Sequence, residues 1–452
     1  MRREITISIA RQVDTKKETA KLSLHFAGQT TNVDLDVDGA SLLKVSRAVP
    51  DLAQDFLCIA SCIYAADKAI ARKAEDDKWT RHLAIEIPVE HVKTWASVAD
   101  ELSDCVGFLT GDRWEISFRL GEKRLIQKKT RKRRVPFKRP KGKAVCLFSG
   151  GLDSFIGVVD WLTENPGEQL LLVGHYDRHV SGPGADQRAL QDVCRPKFPG
   201  RFELAQTQVG LSSGGVDTNF RSRSLLFIAL GCYFAETLGE GTPVIIPENG
   251  PIALNFPLTP ARRGSCSTRT VHPHFLGSLN QILASVGILN PVHNPYELKT
   301  KGEMVDDSRD QSVLSRAYAL TRSCAKANRR DHWVNKKGPI GKAPLGCGIC
   351  IPCLFRRASL HKRGMDSEVY GIPVESIDSL RGDARADLLA LIAFLRRKHS
   401  DREIAAGLLG NGTLPLEQLS SYVHLVKRMR TEVLTWLRAK GSAYLENHLR
   451  AC

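Results

Sequence analysis

The segment Ala144-Val145-Cys146-Leu147-Phe148-Ser149-Gly150-Gly151-Leu152-Asp153-Ser154 restricts the architecture more than any other part of the chain. Ala144 to Phe148 is a short apolar run flanked by turn formers, the pattern of a strand buried on both faces. Ser149-Gly150-Gly151 interrupts it, and Asp153 and Ser154 then open a helix carrying Phe155, Ile156, Val158, Val159 and Leu162. Strand, glycine turn and helix start together make an anion site. Glycine lets main-chain N–H groups converge on an oxyanion, and the helix's positive end adds roughly half a unit charge. The spacing differs from Gly-x-x-x-x-Gly-Lys-Ser/Thr and no lysine follows the glycines, so this is not a Walker loop.

The residues that follow extend the pattern. Gln169 to Asp177 reads as a second buried strand, Arg188 to Val193 as a helical stretch, and Phe202 to Val209 as a third strand. Arg221 to Leu238 is a long apolar helix, and Pro243-Val-Ile-Ile-Pro gives a further strand. This alternation predicts an α/β fold, a doubly wound parallel sheet with helices on both faces. Ligands of such sheets sit at the carboxyl ends of the strands, where the loop after Phe148 falls.

Residues 1–122 read as a separate α+β domain. Glu4 to Ile9, Lys21 to Phe26 and Val33 to Val37 alternate as strands of an antiparallel sheet, and His82 to Pro88 and Trp114 to Leu120 add two more. Ala53 to Ala71 has a continuous helical apolar face on which Cys58 and Cys62 are core cysteines. With no catalytic pattern, this half is a candidate docking or substrate-presenting module. The predicted order is then a basic linker at 123–142, the α/β domain at 143–364, and a helical extension or lid at 365–452. Ala384 to Lys398 and Leu416 to Trp436 supply the stripes of that extension.

The formal charge of +16 is local: twelve Lys/Arg and no acid fall between Lys123 and Lys143, which leaves about +4 for the rest. A solvated linker is the favoured reading of such a run, and contact with nucleic acid or an acidic partner the lesser one. No run of eighteen apolar residues occurs, and Met1-Arg2-Arg3-Glu4-Ile5 lacks a signal peptide's apolar core, so a soluble, cytoplasmic protein with no membrane segment is expected. In that compartment the twelve cysteines do not argue for disulfides, but a cluster of them argues for metal.

Cys347-Gly-Ile-Cys350-Ile-Pro-Cys353 is such a cluster. Its steps of three, with Gly348 and Pro352 between, turn three thiolates toward one point, and a tetrahedral zinc site needs a fourth ligand. Cys324 is the nearest candidate, ahead of His332 and His361. A structural four-thiolate zinc is the favoured reading; spacing alone leaves an iron–sulfur cluster open.

Ser-Gly-Gly-x-Asp-Ser between strand and helix resembles the PP-loop of the ATP pyrophosphatases, and the cysteine pattern narrows the resemblance to the 7-cyano-7-deazaguanine synthase family. Asn249-Gly250 after the fourth strand, Thr300-Lys301-Gly302-Glu303, Ser323-Cys324 and Arg356-Arg357 are similar to that family's segments in the same order, over residues 143–364. Two segments depart from it: His175-Tyr176-Asp177 stands where the family has Tyr-Gly-Gln, and Arg262-Arg263-Gly264-Ser265-Cys266 is a loose match to its purine pocket. The resemblance implies that ATP is split to AMP and pyrophosphate while a substrate carboxylate is adenylated and passed to an amine. Ser149, Gly150, Gly151, Leu152, Asp153 and Ser154 would cradle the pyrophosphate, with Ser149 and Asp153 catalytic. Asp153 would act through Mg²⁺, since a bare carboxylate repels phosphates. Lys301 is the candidate phosphate or carboxylate contact, against the alternative of a surface lysine. His175 and Tyr176 would lie beside the nucleotide. The implied partners are ATP, a 7-deazaguanine-type small molecule and a protein acceptor. A basic N-terminal extension on such a core resembles the queuosine-synthase-like component of Qat anti-phage defence operons. Rival readings are a tRNA-modifying PP-loop enzyme, with the basic run on RNA, and a non-catalytic nucleotide-binding scaffold.

Overall fold

The computed structural model describes residues 2–13, 18–27, 32–45, 50–126, 142–179, 182–213, 215–217, 221–259, 269–327, 330, 333–336, 344, 346–374, 385–440, 447 and 449. Most of the basic run and the segment Arg262 to Cys266 lie outside the described residues, as does His332.

The strands are β1 (Arg2–Val13), β2 (Glu18–Phe26), β3 (Val33–Asp38), β4 (His82–Val89), β5 (Arg113–Leu120), β6 (Ala144–Leu147), β7 (Leu170–Tyr176), β8 (Phe202–Leu211), β9 (Val244–Ile245) and β10 (Val292–His293). They form one sheet in the order β10-β9-β6-β7-β8-β3-β2-β1-β4-β5. Pairing is parallel from β10 through to β8, antiparallel across β8-β3-β2-β1, and parallel again through β1-β4-β5. The fold is therefore α/β with a mostly parallel sheet.

Within the second half, β6 takes its next strand on one side (β7, then β8) and β9, then β10, on the other. The sheet's direction of growth reverses between β6 and β9, the kind of switch point at whose strand ends ligands of such sheets bind. The predicted anion loop follows β6, so the topology puts it at that switch point.

The two halves share one sheet and one core. Leu35 and Val37 of β3 lie opposite Leu211 and Val209 of β8, and the helix Asp51–Ala69 packs on the helix Arg223–Leu238. Cys58 and Cys62 are buried in that core. Buried polar ties cross the seam. Lys68 pairs with Asp177 at 2.5 Å, both buried. Asp67 accepts from Arg221 N (2.7 Å), Ser222 N (2.8 Å) and Ser222 Oγ (2.7 Å) just ahead of the helix Arg223–Leu238, while Arg72 and Arg81 neutralise Asp67 and Asp112. A buried charge network of this kind is tolerable because every carboxylate in it is paired and hydrogen-bonded.

The C-terminal helices Ala386–Arg396, Asp401–Leu409 and Leu419–Ala439 pack with the helix Ile351–His361 in a second core that includes the cysteine cluster. Among the described residues no helix is long and apolar enough to cross a membrane.

Candidate active site and metal centre

Gly150 sits at φ +86°, a left-handed conformation that costs an L side chain but not glycine. It turns the chain from β6 into the helix Leu152–Glu164, whose N-cap, Gly151, has no side-chain capping bond. The first helical N–H groups have no partner within a helix, so an uncapped start leaves them for an anion. Ser149 Oγ accepts from Gly151 N at 3.3 Å and lies 3.2 Å from Ser154 Oγ, while Ser154 Oγ donates to Gly151 O at 3.0 Å. The two hydroxyls thus brace the turn. Leu152 is fully buried and anchors the helix in the core.

Asp153 is buried one residue into this helix. Its Oδ1 pairs with Lys301 Nζ, and its Oδ2 accepts from Asn249 Nδ2 at 2.7 Å and Asn249 N at 3.2 Å. Burial alone would raise the Asp153 pKa; the Lys301 charge and these hydrogen bonds outweigh it and hold the carboxylate below its ordinary value. Glu248 faces the same carboxylate. Burial, followed by repulsion from Asp153, pushes its pKa well above the ordinary value. Asn249 links the two, donating to Glu248 Oε1 at 3.2 Å. Lys301 is 4 % exposed, which disposes of the surface-lysine alternative.

Arg322 closes the other side of the loop. Its N donates to Gly150 O at 2.9 Å, and its guanidinium stands 2.9 Å from Asp186 and packs over Gly182. Asp186 itself lies against Gly150.

His175 is placed differently from the loop residues. Its Nε2 donates to Val209 O at 2.9 Å, Nδ1 faces Arg223 Nε at 3.3 Å, and the ring packs against Tyr64 and Phe227. With both nitrogens used and burial lowering its pKa to about 3, it is a neutral core histidine. Tyr176 is half-buried and packs by Gly184. Arg356 donates to Thr321 Oγ1 and Tyr318 O, each at 2.6 Å, and Arg357 stacks on Tyr370 and Trp436; these partners lie outside the loop Ser149–Ser154.

The structure brings Cys324, Cys347, Cys350 and Cys353 together, with all four sulfurs within 4.8 Å of one another. Cys324–Cys350 and Cys347–Cys353 are each 3.9 Å apart. Four thiolates about 2.3 Å from one tetrahedral ion stand about 3.8 Å apart, so the set fits a single metal ion. Main-chain N–H groups of Lys326, Cys347 and Cys350 each point at a sulfur at 3.3 Å, the support that charged thiolates need. His361 is not part of the group.

Comparison with known proteins adds nothing to this geometry: no family model matches the chain, and no curated protein matches it.

Three residues escaped the sequence reading. Glu248 was signalled only by following a strand, Arg322 only by preceding Cys324. Glu432, which reaches the Lys301 turn from the C-terminal helix, had no local signal at all.

Proposed function

We propose that this chain is an ATP pyrophosphatase of the PP-loop type that works as a C–N ligase. The observation that carries the reading is the uncapped helix start behind Gly150, at the switch point between β6 and β9, with Asp153, Lys301 and Arg322 around it. Pyrophosphate would rest on the amides of the loop Ser149–Ser154, with the Ser149 and Ser154 hydroxyls and the Arg322 guanidinium as further donors. Asp153 and Glu248 are the oxygen ligands suited to Mg²⁺, which when bound would supply charge neutralisation for the phosphates. Lys301, released from Asp153 as that carboxylate turns to the cation, would contact the phosphate or the substrate carboxylate.

In this reaction a carboxylate oxygen of the substrate attacks the α-phosphorus, and the bond to the bridging oxygen breaks with pyrophosphate leaving. An amine then attacks the acyl carbon, loses its proton and expels AMP. The protein's part is orientation, charge neutralisation and exclusion of water from the adenylate. A 7-deazaguanine carboxylate is the proposed substrate class, a small amine or a protein the acceptor, and cytoplasmic anti-phage defence the setting. Structural zinc in the four-cysteine site is part of the same proposal.

The test is product identity. With ATP, Mg²⁺, 7-carboxy-7-deazaguanine and ammonia as the amine, the reading expects AMP and pyrophosphate in equal amounts, and ADP with phosphate would overturn it. Turnover with tRNA in place of the small acid would favour the RNA-modifying reading.

A further inference from the structure

The helix Leu419–Ala439 buries Tyr422, Leu425, Val426, Met429, Val433 and Trp436, which makes it an ordinary packing helix on that face. Arg428 and Glu432, one turn apart beside the face, do something else. Arg428 Nε donates to Glu303 Oε1 at 2.6 Å and its Nη2 to Leu298 O at 2.8 Å. Glu432 accepts from Thr300 Oγ1 at 2.7 Å and from Gly302 N at 3.1 Å. Tyr422 adds a bond to Glu297. Three turns of one helix therefore grip the segment from Glu297 to Glu303, and the residue between the two that Glu432 holds is Lys301.

Two details make the Glu432 contact more than incidental. A Cβ at Gly302 would collide with the Glu432 carboxylate, so the close approach needs this glycine. Thr300 is also the N-cap in a capping box with Glu303, so its hydroxyl accepts from the helix while donating to Glu432. The turn that launches Lys301 is thereby fixed from inside by its own cap and from outside by the C-terminal helix.

We infer that Glu432 is the positioning residue for Lys301, and that the C-terminal helix is a working part of the site rather than a cover for it. The inference rests on the ligase reading for its consequence in turnover, but its structural half stands on Lys301 alone. Packing would be served by a neutral side chain at position 432. A carboxylate that burial holds at a raised pKa of about 7 is a costly choice unless the turn beneath it must not move.

The test uses full-length Glu432→Ala, Gly302→Ala and Glu432→Gln, with two readouts. The first is modification of amines by limiting acetic anhydride, read by mass spectrometry at Lys301 and at the remote buried Lys68. The second is kcat and KM for ATP in pyrophosphate release. Displacement of a positioned group by about 1 Å costs up to about 100-fold in rate, so Glu432→Ala and Gly302→Ala should each lower kcat about 10-fold or more, with KM within about 2-fold. Lys301 should become more reactive in both, with Lys68 unchanged. Glu432→Gln keeps an acceptor oxygen and should recover to within about 3-fold of wild type. Wild-type labelling of Lys301 in Glu432→Ala overturns the inference. Labelling that rises at Lys301 and Lys68 together marks Glu432 as a stability residue and also overturns it. Should the wild-type protein release no pyrophosphate, the ligase reading falls, while the labelling arm still decides whether Glu432 sets Lys301.

Discussion

Replacing Cys350 by serine removes one thiolate from a set in which Cys324–Cys350 and Cys347–Cys353, 3.9 Å apart each, sit at the edge length of a single-ion tetrahedron. Structural zinc in small sites contributes roughly 10–16 kcal/mol of apparent binding free energy at neutral pH, and whole domains are stable by only about 5–15 kcal/mol. An ion bound there would therefore decide whether the local structure forms. Cys350 is also the N-cap of the helix Ile351–His361, and its own N–H points at Cys347 Sγ at 3.3 Å. Upstream, Arg322 lies two residues before Cys324 and donates to Gly150 O, so disorder in the knuckle reaches the anion loop. We expect about one metal ion per wild-type chain by elemental analysis and none in Cys350→Ser. Hydrogen exchange should quicken at 321–327 and 346–361, and to a lesser degree at 149–154, while β1 to β5 stay protected. Metal-free wild-type protein with an equally protected knuckle would refute the reasoning.

Asp153→Asn keeps the shape and should lower pyrophosphate formation by about 100-fold or more with secondary structure intact by circular dichroism; unchanged turnover would remove Asp153 from the chemistry. Arg322→Ala deletes a charged donor worth about 1.5–3 kcal/mol, so KM for ATP should rise about 10-fold or more, which steady-state kinetics would read. Lys68→Met strands the buried Asp177 and should lower stability by about 3–5 kcal/mol in urea titrations at pH 7. Burial would raise the Asp177 pKa, but its bond to Lys68 and a main-chain N–H hold it below the ordinary value. A depressed folded pKa stabilises above the unfolded value and is lost as pH falls through the folded one, so the wild type should weaken on acidification below about pH 4. Lys68→Met should lack that weakening, and parallel pH profiles would contradict the pairing.

What the residues disclosed was whatever is encoded locally. Ala144 to Ser154 carries its strand, its left-handed glycine and its helix start in consecutive positions, and the Cys347, Cys350, Cys353 spacing is a turn of chain. The partner of β3 was not legible, because alternation tells which face of a strand is apolar but not which strand lies beside it. Nor were β9 and β10 as a pair, since two residues, Val292 and His293, are too few to show a period. His175 had a usable signal. It shares a strand face with Leu171 and Val173 at period two, and those two point into the large core that joins the halves. Glu432 had none, since its purpose lies wholly in residues far away in sequence.

The central claim is that the amides at the start of the helix Leu152–Glu164 take the pyrophosphate end of ATP. A crystal structure with Mg²⁺ and a non-hydrolysable ATP analogue tests it most directly. The account predicts the β- and γ-phosphates within hydrogen-bonding distance of the main chain at Gly150 to Ser154, with Lys301 displaced from Asp153. Phosphates bound anywhere else on the protein, with the Lys301–Asp153 pair intact, would contradict it.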